Sequence, residues 1–192
     1  NTGTINGTAT ATHYVGGICG YNKNQITNCD NSGIVNCTYA GEVISMIGGI
    51  CGVSNGKITD CNNAGKVSVE SNGKARVGGV CGSNYKGGTT ENCHNTADVN
   101  VSGNTTESCA GGVCGYNFLG TADLTSTISN CSNTGNITGI SYIGGVCGNN
   151  YCQIYYGTVI VINCYNTGTV SGTSYVGGVC GVNMGSIFNS YN

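Results

Sequence analysis

Fourteen of the 192 residues are cysteine, and most of them recur at fixed places. One set is Cys19, Cys51, Cys81, Cys114, Cys147 and Cys180, each followed by Gly. A second is Cys29, Cys61, Cys93, Cys131 and Cys164, with Ser190 in the sixth place. Thiolates bind zinc or iron–sulfur clusters when they come as close pairs such as Cys-x-x-Cys, often with histidine. Here the two members of a unit stand 10, 10, 12, 17 and 17 residues apart, and His13 and His94 are the only histidines. No metal and no cofactor is therefore expected. Two readings of the cysteines stay open. Each unit closes a disulfide across its core, for example Cys19 to Cys29, worth about 2–4 kcal/mol. Alternatively the thiols stay reduced and act as small buried hydrophobes. Cys37, Cys109 and Cys152 fall outside both columns.

Other chemistry is thinner. His13 and His94 have no counterparts in the other units, and the eight carboxylates are scattered, so no paired acid–base arrangement is readable. Gly-x-Ser-x-Gly is absent and Gly-Gly-x-Cys-Gly is not a phosphate loop. The chain does not read as an enzyme. Six basic residues and a net charge of −2 are too few cations for a phosphate-tracking surface, which excludes nucleic acid. No run of about 18 apolar residues offers a membrane span. Tyrosines are the best candidates for a ligand surface. Tyr14, Tyr142 and Tyr175 occupy one column, and Tyr151, Tyr155 and Tyr156 cluster in the longest insertion. Such rings stack on sugars, or simply on one another between units.

These residues are positioned by a repeat. Val15-Gly16-Gly17-Ile18-Cys19-Gly20-Tyr21-Asn22 returns five more times, with the Cys-Gly pairs spaced 32, 30, 33, 33 and 33 residues apart. A second signature follows it, Ile26-Thr27-Asn28-Cys29-Asp30-Asn31-Ser32-Gly33-Ile34-Val35 in the first unit. A period of this size marks stacked supersecondary units. The apolar runs are short and β-branched, which predicts about three short strands per period. Residues 1–192 are thus expected to form one all-β array, a parallel β-solenoid of about six rungs of 30–33 residues. Asn recurs after Cys-Gly, before the second Cys and two residues beyond it, as stacked amide ladders and left-handed turns would require. Variable segments between the signatures are expected as loops on one side.

The two signatures together resemble the GLUG-motif repeats of bacterial surface proteins, which occur in immunoglobulin A peptidase-like proteins and large adhesins. The likeness spans essentially the whole chain, with Cys where those repeats more often carry Val in Gly-Gly-Leu-Val-Gly. The resemblance implies a surface-exposed stalk or adhesive repeat, and no residue here matches a peptidase motif.

The leading expectation is a structural stalk or fibre segment of an extracellular or cell-surface protein. Frequent cysteine agrees with an oxidising, extracytoplasmic setting. The chain starts and stops at the same point of its repeat without an atypical cap, which suggests stacking on neighbouring repeats or end-to-end self-association. The alternative is an adhesin-type module that recognises a glycan or host protein through its insertions.

Overall fold

The computed structural model describes residues 1–41, 44–104, 107–120, 123–153 and 157–192. The first turn of chain contains five short strands: β1 (Ile5–Ala9), β2 (Tyr14–Gly16), β3 (Cys19–Asn22), β4 (Gln25–Thr27) and β5 (Asp30–Asn31). Each strand pairs in parallel with its counterpart one turn later, so that Cys19 faces Cys51 and Cys51 faces Cys81. Four sheets hold six strands, and the sheet built on β5 holds five. The chain is an all-β parallel β-solenoid of about five turns, slightly fewer than the six rungs expected. No helix occurs among the described residues, so none of them forms a helix long and apolar enough to cross a membrane. Five rises of about 4.8 Å give a rod about 24 Å long.

Five strands per turn replace the three expected, because two corners were hidden inside apparent strands. The first is Gly-Gly. It divides Val-Gly-Gly-Ile-Cys between β2 and β3, and a Cβ on Gly49 would meet the Gly79 carbonyl oxygen and the Asn63 side chain. The second is the residue before the second cysteine. Asn28, Asp60, Asn92, Asn130, Asn163 and Asn189 all adopt φ between 46° and 53°. That left-handed conformation suits Asn and Asp, whose short polar side chains bond locally.

The Gly-Gly corner and a ladder of Asn side chains meet inside the coil and leave two apolar lobes. One lobe packs both cysteine columns against Ile50, Val80, Val113 and Val146. The other sets Val35, Val67, Val99 and Ile137 against Ile47, Val77, Ala110 and Ile143. Between them each amide Nδ2 donates to the Asn Oδ1 of the next turn. The series runs Asn1 to Asn31 (2.8 Å), Asn31 to Asn63 (2.8 Å), Asn63 to Asn95 (2.7 Å) and Asn95 to Asn133 (2.6 Å). It ends with Asn133 to Asn166 and Asn166 to Asn192, both 2.6 Å. The missing Cβ of the glycine corner makes room for this ladder.

The longer variable segments are only partly loops. Strand Cys114–Leu119 pairs with Cys147–Cys152 along its whole length, and Thr125–Ser129 pairs with Thr158–Ile162. Adjacent insertions of similar length therefore extend the sheets by pairing with each other. Tyr151 lies within such a strand rather than in a loop.

Candidate binding cleft

No disulfide joins any of the fourteen cysteines in the structure. Within the second column each S–H donates to a main-chain carbonyl two residues earlier. Cys61 bonds Thr59 O, Cys93 bonds Glu91 O and Cys131 bonds Ser129 O, each at 3.1 Å. In the first column Cys51 donates to Val53 O at 3.1 Å and Cys81 to Ser83 O at 3.2 Å. Burial pushes the Cys81, Cys131 and Cys147 thiols well above their ordinary range, so they are neutral core groups. Among the described residues no group of three or more His, Cys, Asp or Glu is placed to hold a metal. His13 Nδ1 lies 3.0 Å from Ser45 Oγ, and burial lowers its pKa. His94 Nδ1 lies 2.7 Å from Ser132 Oγ on a different sheet.

The tyrosines are arranged otherwise. The outer faces of the β2 and β3 sheets bound a cleft of about 570 Å³ that includes Tyr14 and Tyr151. A second hollow of about 260 Å³ adjoins it and includes Tyr142, and Arg76 and Tyr116 line both. Tyr175 is not in either lining but stacks on Tyr142, with centroids 5.0 Å apart and planes 4° apart. Both of these tyrosines have left-handed backbones, φ 51° and 52°. Tyr155 and Tyr156 lie outside the described residues.

Sequence reasoning missed most of the cleft. Tyr85, Phe118 and Tyr151 occupy register positions on three successive turns and stack at 4.9 Å and 5.9 Å. Tyr116 packs beside them, 5.3 Å from Phe118. Tyr21 meets Tyr14 at 5.7 Å at the other end of the cleft. The Arg76 guanidinium carbon sits 3.7 Å above the Tyr116 ring, Lys86 Nζ is 5.7 Å from the Tyr85 centroid, and Lys23 Nζ is 5.3 Å from that of Tyr21. Burial pushes the Tyr116 hydroxyl up to about 12 against the opposing pull of Arg76, so it stays protonated. A signal did exist. Aromatics stand two or four residues after the recurring cysteine at Tyr21, Tyr85, Tyr116, Phe118 and Tyr151. Strict alternation from that cysteine would have turned them inward. The glycine after the cysteine drops out of register in each pairing, so Cys19 and Asn22 both lie inside while Tyr21 faces out.

Comparison with known proteins agrees with this architecture. The family model for the GLUG motif matches residues 73–100 and 106–138. No curated protein matches the chain. Among solved structures, the chain is similar to a candidate immunoglobulin A1 protease from Bacteroides ovatus, with 21% identity and a TM-score of 0.52. The match covers 98% of this chain and 65% of that one, so the chain spans about two thirds of that protein's length. At this identity the likeness concerns the fold. Residues 73–100 and 106–138 thus match the GLUG motif, and the cysteine-rich chain as a whole winds into a parallel β-solenoid.

Proposed function

We propose that the chain is a rod segment of an extracellular bacterial surface protein, a stalk that holds other parts of the molecule at a distance. The observation that supports this reading most is the unbroken column of seven Asn side chains, Asn1 to Asn192, hydrogen-bonded along the axis. Each buried amide couples one turn to the next, in addition to the parallel backbone ladder. Pulling along the axis must break many such bonds together. The same stacking would continue into further repeats or into a second copy placed end to end. No peptidase step is proposed.

Single-molecule pulling between the two ends tests the rod. The expected result is abrupt rupture, at a force that falls when Asn95→Ala interrupts the column. Smooth extension without rupture, or equal forces for the two proteins, would contradict it. A second reading, in which the rod also binds a partner, is favoured by the ring-lined cleft. The cleft belongs to the sheet faces and extended strands of the rod, so display and recognition are compatible.

A further inference from the structure

The charge of the cleft is opposite to that of the molecule. The chain carries eight acidic and six basic side chains. Three of the six, Lys23, Arg76 and Lys86, stand over rings that line the cleft, and no carboxylate lines the larger hollow among the described residues. The neighbouring cation Lys74 is already matched by Glu107 at 2.5 Å. Arg76 has no carboxylate partner among the described residues. Its guanidinium carbon lies 3.7 Å from the centre of the Tyr116 ring, and such a stack orients a guanidinium while leaving donors for an anion.

The rings leave a gap of definite size. Tyr21 and Tyr85 belong to turns separated by the turn of Val53 and Asn55, whose side chains are small. Two rises of about 4.8 Å put about 9–10 Å between those levels. Tyr21 pairs with Val53 and Val53 with Ser83, so Tyr85 also lies two residues further along the strand, about 7 Å; the two rings stand about 12 Å apart, diagonally, with room for one saturated ring. Asn55 Nδ2 is spent on the Tyr21 hydroxyl at 2.9 Å, and its Oδ1 is buried without a partner. Asn149 Oδ1 in the adjoining hollow is also unpartnered.

From this juxtaposition we infer that the cleft binds an acidic saccharide, a carboxylate-bearing pyranose such as a uronic or sialic acid residue within a glycan. The inference rests on the binding reading of the cleft. The carboxylate accepts the two parallel N–H donors of Arg76, with Lys86 nearby. The sugar ring fills the gap between Tyr21 and Tyr85, and its hydroxyls meet Gln153, whose amide both donates and accepts. An acidic peptide fits less well, because an extended chain would need an open strand edge to pair with. Around the cleft the strands Ser45–Gly48, Cys51–Ser54, Ala75–Gly78 and Cys81–Tyr85 are paired on both sides, so an extended peptide finds no free edge.

Titration calorimetry on the whole chain tests this. The probes are a glucuronate-containing tetrasaccharide, sialyllactose, the carboxyl-reduced neutral form of each, a sulfated tetrasaccharide and a glutamate-rich peptide. An acidic sugar is expected to bind at least tenfold more tightly than its neutral form, and Arg76→Gln should erase that difference without changing affinity for the neutral form. Lys86→Gln, which removes an exposed cation without touching the Tyr116 stack, should reduce the same difference and guards against misfolding of the first variant. Equal binding of acidic and neutral sugars would leave the binding reading standing and overturn the carboxylate assignment. Preference for the sulfated sugar or the peptide would also overturn it. Absence of binding to every probe would remove both.

Discussion

Asparagine serves two different purposes at the ladder and at the corner beside it, and its burial separates them. Asn63, Asn95, Asn133 and Asn166 are fully buried, and each both donates to and accepts from a neighbour one turn away. Asn95→Ala removes both bonds and strands the amides of Asn63 and Asn133. At about 1–3 kcal/mol for each buried orphan, a loss of about 2–6 kcal/mol is expected from urea unfolding. The side chain of Asn92, three residues away, donates to the exposed Asp60 carboxylate at 3.2 Å, and its backbone holds φ 50°. Its backbone matters more than its amide. Asn92→Gly should therefore be nearly neutral, whereas Asn92→Val should cost about 1–2 kcal/mol in the same assay. Equal effects at Asn92 and Asn95 would refute the distinction.

Cysteine is a second residue-scale case, with a pH signature. Burial pushes Cys37 up to about 11 and Cys109 up to about 12 from an ordinary value of 9.0. Below pH 9 these thiols are neutral in both folded and unfolded chains and contribute no pH dependence. As pH rises from about 9 toward 11 or 12 the unfolded thiols ionise first, so protons leave on unfolding and stability falls. The urea midpoint should be flat from pH 7 to 8.5 and drop by pH 10.5. Cys37→Val should make that drop shallower. A midpoint that rises with pH over this interval would contradict the burial of these groups. Alkylation without reductant should label fourteen thiols once the chain is denatured; a smaller count would reveal disulfides.

At the scale of elements, the corners decide the architecture. Gly49 sits where the chain turns from the β2 sheet to the β3 sheet, against the Gly79 carbonyl and the Asn63 amide. Gly49→Ala pushes a methyl group into the ladder and should lower stability by more than 2 kcal/mol, as overpacking at a rigid backbone contact does. Gly3→Ala, whose Cβ would find only the Asn1 side chain at 3.6 Å, should be tolerated. Comparing the two melting curves measures the corner.

These corners also explain what the sequence could and could not reveal. The period, the two cysteine columns and the inward Val and Ile positions were legible because each recurs with its own register partner. Five strands read as three because Gly17 and Asn28 end strands without interrupting the apolar pattern. The ring-lined cleft was legible only in its outline. Tyr14 and Tyr151 lie about 140 residues apart in sequence yet share one hollow, and Arg76 carries no mark that separates it from an ordinary surface cation. Only stacking of the turns brings them together.

At the scale of the whole molecule, the turns of the solenoid are joined into one coupled rod by a buried amide column. Repeat arrays hold together by contacts between nearest neighbours, so a strong axial column should make distant turns unfold together. The two apolar lobes alone would permit sliding, since Val and Ile packing is not directional, whereas each Asn pair fixes one register. Hydrogen exchange of side-chain amides, followed by NMR on a chain labelled at Asn, tests this most directly. The Nδ2 protons of Asn63, Asn95, Asn133 and Asn166 should exchange only as slowly as the rod unfolds, while those of the exposed Asn62 and Asn92 exchange at once. Rapid exchange of the four buried amides would contradict the ladder and, with it, the rod.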